Sequence, residues 1–193
     1  KTKKMIDYIP SNREWPKMPQ SENMWTSWGD IPSIIKQLIE DFQLNNKKAL
    51  EFGVEYGYST AAFANYFETV TGVDIFTGDI HSGFKENHIN ITKDNLKDFY
   101  NINLIQADYR EFISKHNQLY DLIHIDIIHT YEDTYICGEW SVNHAKLTVF
   151  HDTESFPDVK NVCLDLSKKY KLPFLNYKPS HGLGIIYNGT INT

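Results

Sequence analysis

Cysteine is scarce in this chain, with only Cys137 and Cys163 among 193 residues. Neither a metal-binding spacing nor a disulfide framework can be built from them. Both fall in stretches that read as helices, so they are expected to be buried thiols of a reducing compartment. Long apolar runs are missing too: none approaches the roughly 18 residues that cross a bilayer, and no secretory signal pattern opens the chain. The sequence therefore predicts a cytoplasmic protein without membrane contact. A basic surplus is also lacking, since the net charge is −6, and a nucleic-acid partner, which selects for lysine and arginine, is not expected. No Gly-x-Ser-x-Gly nucleophile elbow, repeat, low-complexity tract or internal linker is found. The chain begins at Lys1 rather than Met, which reads as a trimmed or truncated start.

What is present suits one globular domain. Apolar residues make up 41% and aromatics 14% of the chain, enough for a core at this length. Residues 1–30 are rich in proline, tryptophan and polar residues and show little periodicity, so an irregular arm is predicted. Trp15, Trp25 and Trp28 are too many large apolar groups to leave in water. The arm is expected to pack back on the domain formed by residues 31–193, either as a lid over a ligand or as cover for a sheet edge. Asp30 and Pro32 mark the start of a helix, with Asp30 as its N-cap.

The chain is organised around Lys48-Ala-Leu-Glu-Phe-Gly-Val-Glu-Tyr-Gly-Tyr-Ser-Thr60. A short apolar run predicts a buried strand, Gly53 and Gly57 frame a tight turn, and a helical pattern starts at Ser59. Strand, glycine turn and helix together bring backbone N–H groups to a ligand. The glycine spacing is not the Gly-x-Gly-x-x-Gly that a pyrophosphate demands, and an ordinary strand-to-helix turn accounts for the same residues.

Further strands are predicted at 69–75, 102–108, 120–126, 145–150, 174–177 and 184–187, with helices between them. This alternation defines an α/β, Rossmann-like, doubly wound and mostly parallel seven-stranded sheet with an antiparallel last strand. Ligands of such sheets bind beyond the carboxyl ends of the strands. Those ends carry Glu51, Asp74, Asp108, Asp126 and the pair His151-Asp152. An acid after the second strand can accept both hydrogen bonds of a ribose diol, one after the third can accept from a nucleobase amine, and one after the first can face an ammonium group.

Leu50-to-Thr60, Gly-Val-Asp74-Ile-Phe, Leu-Ile-Gln-Ala-Asp108-Tyr109, and Tyr120-to-Asp133 followed by Phe-His151-Asp152-Thr resemble class I S-adenosylmethionine-dependent methyltransferases. The similarity is greatest to the branch with catechol O-methyltransferase-like enzymes, macrolide-sugar O-methyltransferases and cephalosporin-hydroxylase-like proteins. It covers about residues 45–153. The glycine motif marks only the superfamily, whereas the Asp126-x-x-His129 block with His151-Asp152 is much narrower.

The resemblance implies that Glu51, Gly53, Tyr56, Gly57 and Ser59 hold the methionine part of S-adenosylmethionine. It implies Asp74 at the ribose, Asp108 and Tyr109 flanking the adenine, and Asp126 closing the cofactor set. By the same resemblance Asp126, His151 and Asp152 would chelate a divalent cation, Mg or Mn. Oxygen ligands suit Mg²⁺, and a histidine shifts the preference toward Mn²⁺, Fe²⁺ or Zn²⁺. His129, near Asp126 and close to neutral in its unperturbed state, is the expected general base. His81 and His88 read as solvated loop residues.

The expected reaction is O-methylation of a small hydroxylated or sugar-like molecule. The alternatives are a hydroxylase-like metalloprotein, a non-catalytic binding relative on the same fold, and, further off, an NAD-dependent oxidoreductase. Two departures stand out: Ile127-Ile128 where many relatives carry Gly-Asp, and Asn143-His-Ala-Lys146 where they carry Pro-Gly-Gly. The first removes a second carboxylate that could have joined the metal set. Because the chain is short, the acceptor surface is expected from the arm, from the loop at 76–90, or from a second subunit of a homo-oligomer.

Overall fold

The computed structural model describes residues 5–81 and 86–193. Lysines 1, 3 and 4, expected to form a frayed end, lie outside the described residues, as does the centre of the loop at 76–90.

The chain forms strands β1 (Ile6–Asp7), β2 (Lys48–Phe52), β3 (Thr69–Asp74), β4 (Ile102–Gln106), β5 (Tyr120–Ile125), β6 (Ala145–His151), β7 (Phe174–Tyr177) and β8 (Leu183–Tyr187). The helices are α1 (Ile35–Asp41), α2 (Tyr58–Ala64), α3 (Ile89–Asn95), α4 (Tyr109–Lys115), α5 (Tyr131–Val142) and α6 (Pro157–Tyr170). One sheet holds all the strands in the order β1-β7-β8-β6-β5-β2-β3-β4, and only β8 runs against the rest. The seven expected strands are present. The eighth is β1, which the arm contributes by pairing parallel to β7.

From the interior strand β2 the chain winds outward through β3 and β4. It then crosses back to β5, on the other side of β2, and continues to β6. The point where the winding reverses lies between the carboxyl ends of β2 and β5, where open α/β sheets place their ligands. There the Asp126 N–H donates to the Phe52 carbonyl at 2.8 Å, and the Gly53 N–H donates to the Val73 carbonyl at 2.9 Å.

Alternation along the strands sorts side chains onto two faces. Leu50, Phe52, Ile123, Ile125 and Phe150 pack on one face, with Phe112 of α4 and Leu166 of α6. Ala49, Leu122, Leu147 and Ile185 pack on the other, with Phe63 of α2, Ile35 and Leu38 of α1, and Trp28 of the arm. Glu51 and His124 belong to this second face and are register partners across β2 and β5.

Asp30 does not cap a helix as predicted. A 3-10 turn, Ile31–Ile34, precedes α1, and no side-chain cap bond is made. The carboxylate of Asp30 is used elsewhere: it accepts from Arg13 at 2.9 Å, the Tyr177 hydroxyl at 2.8 Å and the Ser180 hydroxyl at 2.5 Å. These bonds fasten the arm to the loop before β8. A second fastening lies at α3, where the Ser21 hydroxyl donates to Asn95 at 2.7 Å. Residues 25–28 span the interval between the two.

Candidate active site

Gly53 and Gly57 both adopt left-handed backbone, with φ of +89° and +94°. The first is forced by crowding, since a Cβ on Gly53 would stand 1.9 Å from the Asp126 carbonyl oxygen. Asp74 ties the turn down from beneath. One carboxylate oxygen accepts the Val54 and Glu55 N–H groups at 2.7 and 2.8 Å, and the other accepts the Phe76 N–H at 2.9 Å. The residue expected to hold a ribose thus also organises the backbone of the glycine turn.

Glu51 departs from expectation more sharply. It is wholly buried and lines neither cleft described below, because its face of β2 points at α2. Its carboxylate accepts from the Ser59 hydroxyl at 2.5 Å, from the Thr60 hydroxyl, and from His124 Nδ1 at 2.8 Å. An acid expected to meet an ammonium group instead fixes the first turn of the helix that follows the glycines.

Two clefts open at the carboxyl edge. The larger, about 260 Å³, is lined by Gly53, Val73, Ile75, Ala107, Tyr109, Ile127 and Ile128 with six carboxylates: Glu55, Asp74, Asp79, Asp108, Asp126 and Asp133. Among the described residues that line it there is no lysine, arginine or histidine. Asp108 caps α4 by accepting the Arg110 N–H at 2.8 Å, and the Tyr109 hydroxyl donates to Asp133 at 2.5 Å. The smaller cleft, about 20 Å³, lies between Trp25–Trp28 of the arm and the turn residues Gly53, Val54, Glu55, Tyr56, Tyr58 and Ser59, with Asp126 at its floor.

Beside the clefts, Asp126, His129 and Asp152 each offer a ligand atom within 4.8 Å of the others, a spacing and donor chemistry that fit a divalent ion. His129 Nε2 lies 2.7 Å from Asp152 and 3.4 Å from Asp126, and its ring stacks flat on Phe156 at 4.0 Å. Asp152 holds left-handed backbone at φ +75°, a strained conformation of the kind found at functional sites. His151, predicted as a ligand, is not part of this trio. Its Nε2 donates to the Ser180 carbonyl at 3.0 Å, and its Nδ1 stands 3.3 Å from both Asp126 and Asp152. Strand alternation turns it toward the arm side of the sheet, while Asp152 turns back to the cleft.

The cluster is strongly polarised. Burial opposes charge on His129, but hydrogen bonds to Asp126 and Asp152 outweigh it and push its pKa up to about 9. Burial likewise opposes charge on His151, which the Asp126 charge still raises to about 10. Burial would raise Asp126 and Asp152, yet the two imidazoles hold both carboxyls below the usual range. Without an ion these neighbours favour the protonated ring of His129, and a cation bound at the trio would displace that proton. Of the two loop histidines expected to be solvated, His81 is exposed, with its Nδ1 receiving the His129 N–H at 3.2 Å, whereas His88 is buried with its ring against Tyr56 and Phe76.

Glu55 is not among the residues expected at the site, although a charged residue between two turn glycines is a signal. It lines both clefts and has left-handed backbone at φ +51°. Burial first, then the charges of Asp126, Asp74 and Asp79, raise its pKa from 4.5 to about 7. His124 is not among the expected residues either. Its signal was a histidine in the otherwise apolar Leu122-to-Ile125 run.

A mostly parallel sheet with a reversed last strand, a glycine turn at the switch point and acids along the carboxyl edge is the architecture of class I S-adenosylmethionine-dependent methyltransferases. The family model for a methyltransferase domain matches residues 50–153, more than half of the chain, and the protein belongs to that family. Among solved structures, a Bacillus cereus O-methyltransferase in complex with SAH is similar, with a TM-score of 0.58, 12% identity, and coverage of 87% of this chain and 84% of that one. The SAH-bound Podospora anserina methyltransferase PaMTH1 gives a TM-score of 0.63 at 12% identity, covering 86% and 80%. A Staphylococcus aureus protein described as a caffeoyl-CoA O-methyltransferase candidate gives 0.63 at 20% identity, covering 82% of each chain. Among curated proteins none matches the chain significantly by sequence.

Proposed function

We propose that the protein transfers a methyl group from S-adenosylmethionine to a hydroxyl of a small hydroxylated or sugar-like acceptor. The observation that carries this reading is the larger cleft against the glycine turn, whose charged lining among the described residues is six carboxylates, since the cofactor is a cation with a diol and an exocyclic amine. Asp108 and Tyr109 would flank the adenine and Asp74 the ribose, while Gly53, Tyr56, Gly57 and Ser59 would line the methionine end. Glu51 holds Ser59 and Thr60 in place rather than touching the ligand. S-adenosylmethionine supplies an activated methyl on a sulfonium. The chain's part is alignment of the acceptor oxygen with it, and exclusion of water by the arm, which we assign as a lid over residues 53–59.

Asp126, His129 and Asp152 would hold a divalent cation, Mg or Mn, with His151 behind them. Such an ion lowers the pKa of a nearby hydroxyl. Asp152→Ala is expected to cut turnover about 100-fold or more while changing cofactor affinity by less than about threefold, because Asp152 lines neither cleft. Calorimetry with S-adenosylhomocysteine, beside release of that product from a panel of hydroxylated acceptors with and without EDTA, measures both. EDTA-insensitive turnover would remove the ion from the mechanism, and absence of S-adenosylhomocysteine binding would remove the methyltransferase reading.

Glu55 adds a pH dependence. In the ligand-free protein its folded pKa of about 7 exceeds the ordinary 4.5. The folded chain therefore holds a proton that the unfolded chain has lost, and stability from this group falls as pH rises from about 4.5 to about 7. A sulfonium ligand favours the ionised form, so S-adenosylmethionine should bind more tightly at pH 8 than at pH 6. Glu55→Gln is expected to flatten both dependences and to lower affinity for S-adenosylmethionine more than for the uncharged thioether S-adenosylhomocysteine. Titrations of both compounds at the two pH values measure it, and an unchanged pH profile in the variant would exclude Glu55.

A further inference from the structure

Two buried polar atoms lie close together under the arm with no hydrogen-bond partner: Trp28 Nε1 and His124 Nε2. Their rings meet edge to face, with centroids 5.2 Å apart and planes at 60°. Trp28 is 3% exposed and His124 is fully buried, so water does not readily serve either atom. The two are chemically complementary. An indole N–H can only donate. His124 directs Nδ1 at Glu51 at 2.8 Å, and a carboxylate that already takes two hydroxyl donors accepts there as well. A neutral ring that donates from Nδ1 is an acceptor at Nε2. A buried donor and a buried acceptor left unpaired are each costly, and the rings that carry them are in contact.

Their surroundings say what joining them would do. Trp28 ends the arm segment whose preceding residues, Trp25–Ser27, wall the smaller cleft. His124 leads through Glu51 to Ser59 and Thr60, at the start of the helix that follows the glycine turn. Arm and turn thus face each other across the methionine end of the cleft, and one missing hydrogen bond separates two otherwise continuous sets of contacts.

We propose that Trp28 and His124 are positioning residues for the cofactor: ligand entry seats the arm so that Trp28 Nε1–H donates to His124 Nε2, coupling closure of residues 25–28 to the Glu51–Ser59–Thr60 turn. The inference rests on the cofactor reading above. It differs from simple packing of a tryptophan against the core, because it assigns the effect to the indole N–H and not to the ring.

The test is a double-mutant cycle. Trp28→Phe keeps an aromatic ring and loses the donor. His124→Asn keeps a donor where Nδ1 faces Glu51 and loses the acceptor. Each single variant is expected to weaken S-adenosylhomocysteine binding about fivefold, and the double variant to bind no more weakly than either. Hydrogen–deuterium exchange should show residues 25–28 protected by the ligand in the wild type and unprotected in the variants, with thermal unfolding reporting that each variant is folded. If Trp28→Phe binds and protects like the wild type, or if the two losses add, the coupling is refuted and the cofactor reading stands. If the wild type itself binds no S-adenosylhomocysteine, both fall together.

Discussion

Gly53→Ala is expected to abolish cofactor binding and to lower stability by about 4 kcal/mol or more. Two costs add at this position. The backbone is left-handed at φ +89°, which an L side chain rarely adopts, and the new methyl would lie 1.9 Å from the Asp126 carbonyl oxygen. That oxygen belongs to backbone held by the Asp126 N–H bond to Phe52, so it cannot retreat without parting β2 from β5. Gly57→Ala is the informative control. Its φ is as unfavourable at +94°, but the obstruction is the Leu96 side chain at 2.8 Å, which can change rotamer. Its cost should be nearer 1–3 kcal/mol, with binding weakened rather than lost. Urea denaturation and S-adenosylhomocysteine calorimetry on both variants decide the matter. Equal effects at the two glycines would mean that strain alone, and not the close approach at the switch point, controls the turn.

Asp74→Ala is expected to weaken S-adenosylhomocysteine binding about 100-fold or more and to cost about 2–4 kcal/mol in stability. The carboxylate accepts three backbone N–H groups, from Val54, Glu55 and Phe76, so its removal strips donors from the turn and from the next loop at once. Asp74→Asn separates the two roles of the residue. An amide presents one acceptor oxygen in place of two, so it can serve the Val54 and Glu55 pair or Phe76, but not both. Stability should recover in part while binding remains impaired. Full recovery of binding by Asn would show that Asp74 acts only as a brace and makes no contact that requires its charge.

Asp74 also illustrates where reading the chain alone reaches its limit. That an acid stands at the carboxyl end of β3 follows from the local pattern of apolar residues. What that acid does depends on Val54 and Glu55, about 20 positions earlier. His129 makes the same point from the other direction. Its place near Asp126 is visible in the sequence, but its second carboxylate partner, Asp152, comes from the residue after β6. Two strand residues carry no periodic signal in the arm's sequence, and β1 forms by pairing with the edge that β7 offers.

The order of strands and helices, the glycine turn, the acids along the ligand-binding edge and the class of cofactor were determined by the amino-acid sequence by itself. Each depends on residues close together in the chain: apolar runs, glycines at a fixed interval, an acid after a strand. The direction in which those acids face was decided only by the tertiary structure. Glu51 turns to His124 and the start of α2, His151 turns to the Ser180 carbonyl, and Glu55 stands between the two clefts. The physical reason is that a buried polar group goes where its hydrogen-bond partner stands, and parallel strands bring those partners from distant parts of the chain.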